Sequence, residues 1–192
     1  MVNFLSDIEQ GISKDFEKNG YIIKKIIDIK SLNKIRAIFI KSIKKNIKGK
    51  FKNKSDSDLL NNIHKKIKPN NLNNFRLKII KDINNNREIR KLYYNISKSF
   101  LDILVGNELS MQLRINLSIQ LPKDNSSLLP LHSDVWSGDS PYEIVVWLPL
   151  VDCYKTKTMY ILPPKKYFIL NKLFKEGKNN STEKIFKKIK KH

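Results

Sequence analysis

Hydrophobic and polar positions follow two different periods along this chain. Between Leu109 and Leu121, the apolar residues Leu109, Met111, Leu113, Ile115, Leu117, Ile119 and Leu121 alternate with Ser110, Gln112, Arg114, Asn116, Ser118 and Gln120. A period of two predicts a strand with one face buried. Pro122 stops it, and Asp124 to Ser127 read as a loop. Tyr142 to Leu150 reads as a second strand with an apolar centre from Ile144 to Leu148, Trp147 included as buried packing. Thr158 to Leu162 gives a third, ended by Pro163 and Pro164. Strands joined without helical crossovers favour an antiparallel sheet or barrel.

Upstream, the period is helical. Phe4, Leu5, Ile8, Ile12 and Phe16 form one face of a lead-in that Gly20 ends, and lysine-bearing Tyr21 to Ile29 reads as a short edge strand. Ser31 is placed to cap a helix burying Leu32, Ile35, Ile38, Phe39, Ile43 and Ile47, with Gly49 at its end. A short helix over Leu59, Leu60, Ile63 and Ile67 stops before Pro69, and another carries Leu72, Phe75, Ile79, Ile80 and Ile83. The strongest begins near Arg87 and lines up Ile89, Leu92, Tyr93, Ile96, Phe100 and Leu104 before Gly106. Near the C-terminus, Tyr167 to Leu173 starts a further helix, and Ser181 caps a basic one over Thr182 to Lys191.

Helices first and strands afterwards make an α+β chain. One domain over residues 1–192 is expected, with a mainly helical part at 1–106, strands at 107–170 and a basic helical tail at 171–192. The formal charge of +20 comes from lysines spread along most of the chain rather than gathered in a stripe. A diffuse lysine coat is first of all a solvated surface; it attracts anionic ligands or membranes weakly at low salt, and without a groove-reading motif it does not favour nucleic acid. The single cysteine, Cys153, excludes an intrachain disulfide and reads as a structural thiol suited to a reducing cytoplasm. No run is long and apolar enough to predict a membrane span.

The chemistry gathers at His132, Ser133 and Asp134. On an extended segment a histidine and a carboxylate two positions apart share a side of the backbone, so they can converge on one divalent metal or simply decorate a strand end. On the first strand, the polar face with Gln112, Arg114, Asn116, Ser118 and Gln120 suits either a carboxylate ligand, held by Arg114, or solvent. There is no zinc-protease helix motif, phosphate-binding glycine loop, dinucleotide fingerprint or serine-nucleophile elbow.

The run LSIQLPKDNSSLLPLHSDVWSGDSPYEIVVWLPLVDCYKTKTMYILPP resembles the phytanoyl-hydroxylase-like branch of iron(II)/2-oxoglutarate oxygenases. More narrowly, it is similar to the 2-oxoglutarate/iron oxygenases of sporadic carbohydrate biosynthesis clusters. The resemblance implies a double-stranded β-helix (jelly roll) with N-terminal helices, incomplete at its C-terminal end. It implies His132 and Asp134 as the first two metal ligands, Fe(II) as cofactor and 2-oxoglutarate as co-substrate; the cofactor-binding candidates Arg114, Asn116 and Gln120 come from the polar face of the first strand. The implied activity is that of a dioxygenase, an oxidoreductase hydroxylating a small molecule such as a sugar or carrier-linked sugar. The family's distal histidine and its 2-oxoglutarate-binding arginine have no evident counterpart before His192. A completing chain or a homo-oligomer is therefore expected as a partner, and the alternative function is a non-catalytic or degenerate jelly-roll binding protein.

Overall fold

A computed structural model describes residues 4–47, 55–124 and 132–176. Its helices start and stop for identifiable local reasons. The first, α1 (Asp7–Asn19), opens on a capping box in which the Ser6 hydroxyl accepts from the Glu9 N–H while the Glu9 carboxylate accepts from the Ser6 N–H. It ends at Gly20, whose φ of 75° is left-handed and whose Cα faces Pro164 so closely that a Cβ would lie 3.2 Å from the proline ring. Gly20 thus serves both the backbone turn and the close approach.

Helix α2 (Ile29–Asn46) is capped by Asp28, which accepts from the Ser31 N–H at 2.9 Å. Ser31, expected as the cap, therefore lies inside the helix and is buried. Residues 21–27 form no strand and run irregularly between α1 and α2. Helix α3 (Asp56–Asn61) starts at Ser55, and α4 (Pro69–Asn84) begins on Pro69 itself. The proline that stops one element is the preferred first residue of the next.

The long helix expected from Arg87 to Leu104 is two, α5 (Ile89–Asn95) and α6 (Lys98–Leu104). Between them the Ser97 hydroxyl donates to the carbonyls of Tyr93 and Tyr94 and competes with the helical ladder. Helix α7 (Tyr167–Glu176) follows a 3-10 turn at Pro164–Lys166. The basic helix expected over Thr182 to Lys191 and most of the loop at Asp124 to Ser127 lie outside the described residues.

The core is helical. Helix α2 packs on α4 and α5, and Ile35, Phe39, Ile43, Phe75, Ile79, Ile83, Ile89 and Leu92 are buried together. A polar clamp reinforces the seam between α2 and α4: Asp82 accepts from Lys45, Asn46 and Ser42. The Lys45 and Asn46 hydrogen bonds lead in holding its carboxyl below the usual range. Beyond α6, two stretches lie across this helical layer. Over residues 115–121 burial alternates, with Ile115 and Leu121 buried, Leu117 and Ile119 half-buried, and Asn116, Ser118 and Gln120 exposed. Over 144–150 it alternates again: Ile144, Val146, Leu148 and Leu150 are half-buried and Val145, Trp147 and Pro149 exposed. A period of two in burial marks an extended chain with one side against the helices.

Neither stretch pairs with another strand, and no β-strand or β-bridge occurs among the described residues. The expected double-stranded β-helix is therefore corrected to a helical layer crossed by two extended segments, with no sheet among the described residues. The resemblance to iron(II)/2-oxoglutarate oxygenases falls with it, because that family's site is built on paired strands. Both functions that needed a jelly roll, the dioxygenase acting on a carbohydrate intermediate and the non-catalytic jelly-roll binder, are corrected for the same reason. No helix among the described residues is long and apolar enough to cross a membrane.

Ile79, fully buried in α4, tests the primacy of the helical seam. Ile79→Ala should cost about 2–5 kcal/mol in chemical denaturation, the range for cavities in packed cores. A loss below about 1 kcal/mol would show that the seam is loosely packed.

Candidate functional site

Extended chain without a neighbouring strand leaves N–H and C=O groups unpaired, and such groups need another partner or water. Here helix side chains supply part of the need. The Asn84 carboxamide, at the end of α4, accepts from the Ile115 N–H at 2.8 Å and donates to the Ile115 carbonyl at 2.9 Å. It binds both groups as the backbone of an adjacent strand would. Arg76, two turns earlier, donates to the Leu117 carbonyl at 3.4 Å.

Arg90 donates from Nε to the Gln112 carbonyl and from Nη2 to the Met111 carbonyl, at 3.1 and 2.9 Å. That capture of consecutive carbonyls precedes a bend at Leu113 and Arg114, and Leu113, expected on the buried face, is 80% exposed. On the second stretch the Tyr93 hydroxyl donates to the Val146 carbonyl at 2.9 Å, and Arg36 donates to the Leu150 carbonyl at 3.0 Å. Burial pushes the Tyr93 phenol up to about 12, so it stays a donor through the neutral range.

In an extended chain the main-chain groups of alternate residues face opposite edges. Ile115 and Leu117 face Asn84 and Arg76, so Asn116, Ser118 and Gln120 face away. Val146 and Leu150 face Tyr93 and Arg36, so Val145 and Trp147 face away. Among the described residues, none of these five outward residues has a main-chain hydrogen bond. The two outward surfaces differ in chemistry. The first is polar, whereas the second presents Val145 at 60% exposure and Trp147 at 45%. Trp147 is thus not the buried packing residue that its apolar neighbours suggest.

The sequence-derived site residues scatter over this frame. His132 Nε2 and Asp134 Oδ1 lie 3.7 Å apart, both half-exposed, at the entrance to a 3-10 turn over Asp134–Ser137. At that separation a protonated imidazole attracts the carboxylate, but two donors do not close a metal shell. No group of three or more His, Cys, Asp or Glu able to hold a metal ion occurs among the described residues. Fe(II) and 2-oxoglutarate are accordingly corrected as cofactors, since neither a sheet scaffold nor a donor cluster is present there. Arg114, Asn116 and Gln120 are exposed and make no side-chain hydrogen bond or ion pair among the described residues.

An open cleft of about 300 Å³ lies beside Leu150, lined by Arg36, Ser57, Asn61, Asp152 and Cys153. Cys153 is exposed, and partial desolvation, then the nearby Asp152 charge, raises its thiol. Nothing in the sequence marks Asn84, Arg76, Arg90 and Arg36 as anchors, and Tyr93 reads there only as part of an apolar helix face. Asn84 sits in an Asn84 to Asn86 run that reads only as a helix end. No family model, curated protein or solved structure matches this chain.

Substitutions at two of the anchors probe this arrangement. Asn84→Ala leaves the buried Ile115 N–H and carbonyl unpaired and should destabilise the fold by about 1–3 kcal/mol in urea. Asn84→Asp, which keeps the acceptor and loses the donor, should fall between; equal stability of all three proteins would refute the clasp. For Tyr93 the folded phenol titrates above its unfolded value, so its contribution to stability is complete below about pH 10 and is lost as pH rises toward 12. Ultraviolet titration should show a late-ionising tyrosine that Tyr93→Phe removes.

Proposed function

We propose that this protein is a binding scaffold whose helical layer holds residues 144–148 extended for pairing with an extended segment of another chain. The carrying observation is the coincidence, at Val145 and Trp147, of exposed apolar side chains and main-chain groups without hydrogen bonds among the described residues. An edge of that kind is a template for strand addition, in which main-chain bonds give affinity and alternate side chains give specificity.

The edge also limits its occupant. Pro149 has no N–H to offer, so the ladder runs out there. A partner segment needs alternate apolar residues to cover Val145 and Trp147. The charge of +20 favours acidic flanks in that segment and disfavours a second copy of this chain. On residues 115–121 the outward side is polar, with Asn116, Ser118 and Gln120, and suits a wetter contact.

Hydrogen exchange read residue by residue tests this function. In the free protein the amides of Val145 and Trp147 should exchange at nearly unprotected rates. Displayed random peptides of about twelve residues, selected on the protein, should converge on alternating apolar residues with acidic flanks, and should slow both amides by at least about tenfold. Trp147→Ser should weaken those peptides. Selected peptides without alternation, or binding that leaves both amides fast, would rule the scaffold function out; protection growing with protein concentration alone would replace the partner by a second copy.

A further inference from the structure

The cleft beside Leu150 carries a property separate from the edge at residues 144–148. Three segments build it: α2 supplies Arg36, α3 supplies Ser57 and Asn61, and the chain at the end of the second extended stretch supplies residues 149–153. Arg36 is held by two hydrogen bonds, from Nη1 to the Leu150 carbonyl at 3.0 Å and from Nη2 to the Ser57 hydroxyl at 3.4 Å. Neither acceptor is charged, and a guanidinium has further N–H groups to give a carboxylate. Asp152 lines the same cleft, is exposed, and makes no hydrogen bond or ion pair among the described residues. A cation and an anion thus line one small space without closing on each other. Lys157 stands at its margin, donating to the Asn61 carboxamide oxygen at 3.1 Å. Desolvation and then Asp152 push the Cys153 thiol up while Lys157 pulls it down, so both charges are felt in the cleft. By contrast, the cleft of about 310 Å³ beside Leu104 and Tyr142 has no charged residue in its lining.

We infer that the cleft between Arg36 and Asp152 binds a small zwitterion, a free α-amino acid with an apolar side chain, its carboxylate on Arg36 and its ammonium on Asp152. The pairing of signs decides the class. A phosphate or dicarboxylate would gain from Arg36 and Lys157 but would meet the like charge of Asp152, and a metal cation or simple amine would meet the two cations. A zwitterion satisfies both ends, and charge-assisted hydrogen bonds are roughly twice as strong as neutral ones. The size agrees, since about 300 Å³ is the low end for small-molecule sites. Pro149, Leu150 and Val151 supply the apolar part of the wall, where a branched side chain gains by leaving water.

Amide-resolved NMR of the full chain, titrated with L-leucine, tests the inference. Saturable shifts at Ser57, Asn61 and residues 150–153 are expected, with a Kd of about 1 mM or below. Isocaproate, which is leucine without its amine, and isoamylamine, which is leucine without its carboxylate, should each bind at least about tenfold more weakly. Because Arg36 also holds Leu150, the decisive variant is Asp152→Asn, which breaks no hydrogen bond or ion pair among the described residues. It should weaken L-leucine at least about tenfold, leave isocaproate no weaker, and keep the amide spectrum outside the cleft unchanged. Isocaproate or isoamylamine binding as tightly as L-leucine, unchanged L-leucine affinity in Asp152→Asn, or the absence of saturable shifts up to about 10 mM would each overturn the site.

Discussion

The pairing of the Asn84 carboxamide with both main-chain groups of Ile115 is the interaction on which the arrangement after α6 depends. Ile115 is almost completely buried, so its N–H and carbonyl cannot be left to water. A sheet would satisfy them with a second strand. Here one side chain at the end of α4 does so, and its amide geometry allows both bonds at once. With that point fixed, the two-residue period places Leu117, Ile119 and Leu121 on the side of the helices. Arg90 fixes the chain on the other side of the bend, and Tyr93 and Arg36 repeat the device for the second stretch.

This distinction explains how much of the fold was legible in the sequence. Alternation over residues 109–121 predicts extended chain with one side buried, and burial follows it over 115–121; over 144–150 the apolar run predicts a buried strand, whereas burial there alternates and leaves Val145 and Trp147 exposed. What alternation does not encode is the partner of the backbone edge. Strands of a sheet and extended segments on a helical layer share the same side-chain period, so the inference from period to sheet fails there. The anchors that separate the two cases are polar residues on helices, and Arg36, Arg76 and Arg90 look like ordinary solvated positions until the fold brings them to carbonyls. Helix periodicity was the more secure guide, since core positions such as Ile35, Ile79 and Ile89 depend on a face and not on a pairing. The split at Ser97 was missed because a short-range hydroxyl contact breaks a pattern that the apolar residues continue.

The candidate chemistry shows the same limit. Spacing brought His132 and Asp134 within 3.7 Å, as two side chains two positions apart allow. The remainder of a metal centre must come from distant segments, and these are set by tertiary structure. A short motif therefore carries much less weight than the scaffold that would complete it.

Holding an extended segment ready has an energetic consequence. A disordered peptide that pairs on binding must order its backbone at that moment, at about 1–2 kcal/mol per residue. Residues 144–150 are already constrained by Tyr93, Arg36 and the half-buried Leu148 and Leu150, so most of that cost on this side of an interface is met during folding. The helical layer then does more than support the edge. On the proposed function, fixing the inward carbonyls leaves the outward main-chain groups of Val145 and Trp147, which have no hydrogen bond among the described residues, available to a partner, and only that partner's own ordering remains to be offset by new hydrogen bonds and the burial of these two side chains. Such preorganisation gives a physical reason for anchoring an unpaired strand edge by polar helix side chains: the anchors occupy one edge and keep the other available.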